Sequence, residues 1–300
     1  AGNPVQLRGM SLYWSQWQGK YYTYNTVKWL RDNWKCSIIR AAMGIESGGY
    51  LTNPDVEKQK IKTVVDAAIE LGVYVIIDWH SHTALNAAER VKAVEFFTEM
   101  SKTYGKRPNI IYETFNEPLQ VTWDSLKVYH EAIIDSIRKY DSTNIVVCGT
   151  SNWAQDVDKV VGKAIDDTNI AYTLHYYAAT HKDTYRAKAQ KAINAGLCLF
   201  VTEFGTCASN GGVPIDEAST NVWFDFLDAN KISWCNWSVS DVVEAASIIN
   251  PGASVDGGWI SKEITASGKI VRGELLYQYF SVNMEPNSPP VITSQPYSSG

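Results

Sequence analysis

No apolar run in the 300 residues approaches the roughly 18–20 that cross a bilayer, so no membrane partner is expected. Basic residues are not in excess either. The 27 Lys and Arg against 32 Asp and Glu leave a net charge of −5, with no basic run, so no nucleic-acid partner is expected. Cysteine is sparse, at positions 36, 148, 198, 207 and 235, and fits no metal-binding spacing. An odd number cannot all pair internally. Four of the five lie in or beside apolar runs and read as buried free thiols, with Cys207–Cys235 the one pairing to check. Phenylalanine is scarce, 8 residues against 11 Trp and 17 Tyr. Aromatic rings with a polar handle suit surfaces that stack on flat, hydroxylated ligands.

What is present is a regular alternation. Short β-branched or aromatic runs begin near Leu7, Ile38, Tyr74, Ile110, Ile145, Ala171, Leu199 and Ser233, about 26–36 residues apart. Between most of them lie segments of helical period. In Pro54–Leu71, Ile61, Val64, Val65 and Ala68 share a face and Gly72 stands as a stop; in Trp123–Lys139, Leu126, Tyr129, Ile133 and Ile137 do the same. Ala88–Tyr104 carries Val94, Phe97 and Ser101 on one line and ends at Gly105. Runs such as Tyr74-Val75-Ile76-Ile77 are apolar throughout, as in strands covered by helices on both faces. Eight strand–helix units predict an α/β fold, a single-domain (β/α)8 TIM barrel over residues 1–283. An open doubly wound sheet is the alternative. The weakest unit is Asp156–Thr168, whose helix is poorly defined. Residues 284–300, rich in Pro and Ser, read as a tail or the start of a linker.

In such a barrel the active site lies at the C-terminal ends of the strands. There the runs end in Arg40, in Asp78-Trp79-His80-Ser81-His82, in Phe115-Asn116-Glu117-Pro118, in His175-Tyr176-Tyr177, in Thr202-Glu203-Phe204-Gly205 and in Asn236-Trp237. Glu117 and Glu203 come from strands three apart and face across the barrel mouth. Opposed carboxylates are what glycoside hydrolysis needs, one protonated to release the leaving oxygen and one ionised to attack carbon or activate water. Arg40 can keep one ionised, and a tyrosine hydroxyl can orient it. Two structural ion pairs are the plainer alternative.

These residues resemble glycoside hydrolase family five, most closely its endoglucanases, the bacterial and related animal cellulases. The resemblance runs from Val5-Gln6-Leu7-Arg8-Gly9 to Val271-Arg272, through Lys28-Trp29-Leu30-Arg31-Asp32, Ile39-Arg40-Ala41-Ala42-Met43, Ile76-Ile77-Asp78-Trp79-His80 and Ser151-Asn152-Trp153-Ala154-Gln155-Asp156-Val157. It implies a secreted, extracellular retaining endo-β-1,4-glucanase acting on β-1,4-glucan polysaccharide or cello-oligosaccharides, with no cofactor and no metal. Glu117 would be the acid/base and Glu203 the nucleophile, their carboxyl groups about 5–5.5 Å apart. Asn116 would hold the 2-hydroxyl of the sugar being cleaved. Arg40 and Tyr177 would flank the nucleophile, His80 and His175 would line the cleavage subsite, and Trp237 would be its stacking floor.

Trp14, Trp17 and Trp153, in loops after strands 1 and 5, are candidates for stacking on successive sugars, with Tyr13 and Glu244 beside them; Trp29 and Trp34 are assigned to packing. Two positions depart from the family. Tyr13 stands where many bacterial members have histidine, and Val242 where many have a substrate-contacting lysine. The same barrel and glutamates also cleave mannans, xyloglucans and mixed-linkage glucans, so β-mannanase or mixed-linkage glucanase activity is the runner-up. A non-catalytic sugar-binding barrel is a remoter reading. A metal hydrolase would need further ligands beyond His80-Ser81-His82, and His82 and His181 read instead as solvated loop residues. Asn236-Trp237-Ser238 is a glycosylation sequon at a strand end, where a glycan would block the site, so Asn236 is expected bare. The chain is expected to act as a monomer, and a carbohydrate-binding module could follow the tail.

Overall fold

A computed structural model describes residues 5–83 and 85–281. The expected tail 284–300, and with it the domain boundary, lies outside the described residues. Eight parallel strands close into a barrel in chain order. They are β1 (Arg8–Leu12), β2 (Ile38–Gly44), β3 (Tyr74–His80), β4 (Ile110–Glu113), β5 (Ile145–Cys148), β6 (Ile170–Tyr177), β7 (Leu199–Gly205) and β8 (Trp234–Val239). Closure through the β1–β8 pair excludes the open doubly wound sheet. The helices are α1 (Ser15–Gln18), α2 (Tyr24–Trp34), α3 (Pro54–Leu71), α4 (Ala87–Tyr104), α5 (Trp123–Arg138), α6 (Ser151–Ala154), α7 (Asp183–Asn194), α8 (Glu217–Ala229) and α9 (Ala266–Ser281). None among the described residues is long and apolar enough to cross a membrane.

Local sequence explains the helix ends. Pro54 opens α3, where its missing N–H is no loss, and Gly72 closes it at φ 72°. Asn86 caps α4 by accepting from the Glu89 N–H at 2.8 Å, and its amide returns to the Glu89 carboxylate. Ile61, Val64, Val65 and Ala68 of α3 are buried, as are Leu126, Tyr129, Ile133 and Ile137 of α5. Trp34 is fully buried and Trp29 packs against the core, as assigned.

The fifth unit departs from the pattern. Between β5 and β6 there is no full helix, only the four residues of α6 and a 3-10 turn, Val157–Val160. Within α6, Asn152, Trp153 and Ala154 have φ of 59°, 55° and 55°, a left-handed run that right-handed helix geometry excludes. Backbone bonds hold it: Asn152 N–H donates to Leu119 and Trp153 N–H to Pro118, at 2.9 and 2.8 Å. The turn that presents Trp153 is therefore strapped to the loop that carries Glu117.

The barrel interior is layered. At its floor lies an apolar cluster that includes Leu7, Ile38, Ile76, Ile111, Val147, Phe200 and Cys235. Further along β2, β3, β4 and β7 come Arg40, Asp78, Glu113 and Thr202, all fully buried. The expected Cys207–Cys235 check fails, because all five cysteines are free thiols. Cys235 belongs to the floor cluster, whereas Cys207 packs with Ala42, Trp237 and Ala246, in a separate one.

Candidate active site

Buried charge organises the site. Arg40 projects from β2 with no exposure and spreads its guanidinium over five partners, Ser11 Oγ at 3.3 Å among them. Its Nε donates to Glu113 at 2.7 Å, Nη1 to Glu203 at 3.0 Å, and Nη2 to Asn116 Oδ1 at 2.6 Å and Asp78 at 2.9 Å. One cation thus faces three carboxyl groups. Burial pushes Asp78 and Glu113 up to about 7, with the Arg40 charge opposing it. A planar guanidinium suits this divided task, since its donors leave in fixed directions.

Glu203 receives a second donor, the Tyr177 hydroxyl at 2.8 Å. Burial, followed by the charges of Glu203 and Glu117, holds that phenol well above its ordinary pKa, so it remains a donor at any working pH. The Tyr177 backbone is itself pinned, its N–H donating to His181 Nδ1 at 2.9 Å. His181 is 4 % exposed, and burial holds its pKa down to about 4. That corrects the expectation of a solvated loop histidine: its acceptor nitrogen is spent on the residue that orients Glu203.

A register shift in β7 explains how Thr202 and Glu203, consecutive residues, both reach the site. His175 pairs with Glu203 and Thr173 with Phe200, so three steps on β7 match two on β6. The same excess appears against β8, where Val201 pairs with Trp234 and Phe204 with Asn236. A bulge of this kind redirects a side chain that strict alternation would send outward.

Glu117 follows β4 in a loop and is held from two sides. His175 Nδ1 lies 2.9 Å from Oε1, and His82 Nε2 lies 3.2 Å from Oε2. Burial raises the Glu117 pKa, but the two histidine bonds and charges outweigh it and bring the carboxyl to about 2. The Thr202 hydroxyl donates its single hydrogen to Glu113 at 2.6 Å, so at 2.9 Å it must accept from His175 Nε2. His175 therefore carries its proton on Nε2, and its Nδ1 faces the Glu117 carboxyl. An oxygen of Glu117, one of Glu203 and a ring nitrogen of His175 lie within 4.8 Å of one another. Three such atoms could in principle bracket a cation. With both His175 nitrogens engaged, the arrangement reads as a proton network.

The aromatic wall is built around His80, at the end of β3. Its Nδ1 meets Asp78 at 2.6 Å, and burial together with the Arg40 charge keeps the ring neutral, well below its ordinary pKa. Trp237 stacks on it at 5.1 Å and 5°, and Trp14 stands edge-on at 4.1 Å. Tyr13 covers another part of Trp237 at 5.1 Å, leaving that residue 6 % exposed. The open aromatic surface comes instead from Trp17 and Trp153, 54 % and 38 % exposed. Glu244 is half-buried, and burial followed by the Glu203 charge raises its carboxyl pKa, which ties it electrostatically to Glu203. Asn236 is fully buried, with its amide donating to Phe204 O at 2.9 Å, a geometry that leaves no room for a glycan.

A family model described as Cellulase (glycosyl hydrolase family 5) matches residues 1–242. The chain belongs to the cellulases of glycosyl hydrolase family 5. Endoglucanase A of Evansella cellulosilytica is 46 % identical over 281 residues, 91 % of this chain and 57 % of that protein. The chain thus spans little more than half the length of that relative. A solved structure from Cytophaga hutchinsonii superposes with a TM-score of 0.92 at 53 % identity, over 93 % of this chain and 92 % of that one. The catalytic domain of a Thermobifida fusca endoglucanase in complex with cellotetraose does so at 0.88 and 33 %, over 92 % and 93 %.

In this family 5 barrel His80, Asn116, Glu117, His175, Tyr177, Glu203 and Trp237 gather on one rim, whereas Trp79, Tyr176 and Phe204 pack outward against the helices, and Arg40 lies within β2, not at its end, beneath the rim. Sequence reasoning missed Glu113, inside β4, although a carboxyl in an otherwise apolar parallel strand is itself a signal. It finds Asp78 and Thr202 among the residues ending β3 and β7 but gives neither a role, and it reads His181 and His82 as solvated loop residues. His82 is in fact partly buried, and its neighbour Glu46 receives the His82 N–H and the Ser81 and Thr83 hydroxyls.

Proposed function

We propose that this chain hydrolyses internal β-1,4-glucosidic bonds of cellulose or related β-glucans by a retaining double displacement. The observation that carries the reading is the approach of Glu117 and Glu203 oxygens to within 4.8 Å. That fits the roughly 5–5.5 Å between carboxyl groups of retaining sites, not the 6.5–9.5 Å that inverting sites leave for a water. Glu203, ionised beside Arg40 and oriented by Tyr177, attacks the anomeric carbon. Glu117 gives its proton to the departing glycosidic oxygen. Water then attacks the glycosyl–Glu203 ester while Glu117 takes back a proton, and the sugar leaves with its original configuration. Asn116, anchored by Arg40, is placed to bind the 2-hydroxyl of the reacting sugar.

The substrate class follows from the likeness to proteins named endoglucanase and to one solved with cellotetraose. Trp17 and Trp153 offer exposed ring faces that suit the flat C–H faces of β-glucose units. A polymer too large to enter a cell places the action outside it, and a monomer suffices, because every group invoked comes from one chain. A carbohydrate-binding module joined beyond the tail would add grip on solid substrate. Reducing-end release from carboxymethyl-cellulose and galactomannan, side by side, tests the reading. Release mainly from the cellulose derivative, lost in Glu203→Gln, is expected. Release mainly from galactomannan would overturn the substrate and keep the mechanism. Undiminished release by the variant would overturn the nucleophile.

A further inference from the structure

Glu117 has two imidazole partners, and only one of them reaches water. His175 is 1 % exposed, and its far nitrogen is tied through Thr202 to Glu113. The His82 side chain is 37 % exposed and meets the other carboxylate oxygen at 3.2 Å. Its loop is held from two elements. Glu46, after β2, accepts from the His82 N–H at 3.3 Å and from Ser81 at 2.5 Å, and Glu89 of α4 contacts Ser81 at 2.7 Å. The Trp14 ring, from the loop after β1, stands edge-on to the imidazole at 5.4 Å. The ring is thus clamped with one nitrogen on the acid/base carboxyl and one edge toward solvent.

We propose that His82 is a positioning residue for Glu117: the two share one proton across the Nε2–Oε2 contact, and loss of that proton to solvent sets the alkaline limit of turnover. The proposal rests on the reading of Glu117 as acid/base. With the proton on Nε2, Glu117 is a carboxylate. Transfer breaks the N–H bond and forms an O–H bond, leaving a neutral imidazole and the charge of the pair unchanged. Glu117 then passes the proton to the leaving oxygen. In the second half of the cycle it takes one from water, and the pair returns to its starting state with no net proton used.

The groups around His82 favour this arrangement. Burial lowers its pKa, but the bond to Glu117 and the charges of Glu117, Glu203 and Glu46 outweigh that and raise it. His80, from β3, adds a neutral ring that is held down by its own burial. Above the pKa of the pair, both lose the proton and no acid is left for the first step.

Two substitutions and one titration test the inference. His82→Gln keeps an amide donor without a titrating proton, and His82→Leu removes both. In each, the alkaline limb of kcat/KM on carboxymethyl-cellulose is expected about one pH unit or more lower. Activity on the acid side of the optimum should change by less than about tenfold. A purely structural role would lower activity by one factor at every pH, and an alkaline limb unmoved in both variants would overturn the proposal. Independently of turnover, imidazole 15N shifts of the resting enzyme, assigned by the signal missing in His82→Gln, should show His82 titrating above the ordinary histidine value and falling in Glu117→Gln. A His82 that titrates normally and ignores Glu117→Gln would overturn the shared proton. Because this readout needs no substrate, its failure is separable from failure of the glucanase reading, which Glu203→Gln tests.

Discussion

A methyl group on Gly205 would stand 2.3 Å from Cδ1 of Tyr177, far inside van der Waals contact. The bare Cα is what lets the phenol lie flat enough to reach Glu203. Gly205→Ala is therefore expected to tilt the ring away and to lower kcat by up to about 10²-fold, the order that a misplacement of about 1 Å costs. Tyr177→Phe, which deletes only the hydrogen bond to a charged group, should cost about 10–100-fold. Steady-state kinetics on a soluble cello-oligosaccharide checks both, and a Gly205→Ala enzyme with unchanged kcat would contradict the packing argument. At this scale the sequence was informative wherever a polar residue stood at the end of an apolar run, as with Glu117, His175 and Glu203, and it picked out Arg40 although that residue lies inside β2. It misread His181 as a solvated loop residue, because what gives that histidine its role is a backbone N–H four residues earlier. Hydrogen bonds to the main chain leave no compositional trace.

Elements carry the site by their irregularities. The bulge in β7 turns two consecutive residues inward, and the left-handed α6 holds the Glu117 loop through Pro118 and Leu119. Neither is written in hydrophobic period. The fifth unit read as weak for the right reason, since Asp156–Thr168 lacks a helical face. A further tie is His130 of α5, which is fully buried between Thr114 and Gly149. Its Nε2 faces the Gly149 carbonyl at 2.9 Å and so carries the proton, while burial holds its pKa down to about 4. The unfolded chain takes up a proton near pH 6.5 that the folded chain refuses until about 4, so stability falls as pH drops through that window. The loss is ~3 kcal/mol for this one group. Asp78 and Glu113, raised to about 7, act in the opposite sense, because the folded state holds their protons longer as pH rises. Comparing His130→Gln with the unsubstituted chain isolates the histidine. The variant's deficit in urea denaturation should shrink by ~3 kcal/mol between pH 7 and pH 4. A deficit constant with pH would contradict a neutral buried His130.

For the whole molecule, the layering of the barrel decides the chemistry. An apolar floor excludes water from below, a buried Arg40 with three carboxyl groups sets the field, and the two glutamates meet at the open end. The fold class was legible because eight runs at near-regular spacing leave few other ways to bury apolar strands on both faces. The distance between Glu117 and Glu203 was not, since it depends on strand stagger and on the β7 bulge. That distance carries the central claim, a retaining displacement between two glutamates. It is tested most directly by following cellopentaose cleavage in real time by 1H NMR of the newly formed anomeric proton. The account predicts that the β-anomer appears first and the α-anomer only later, by mutarotation. First appearance of the α-anomer would mean inversion, and would contradict the assignment of Glu203 as nucleophile.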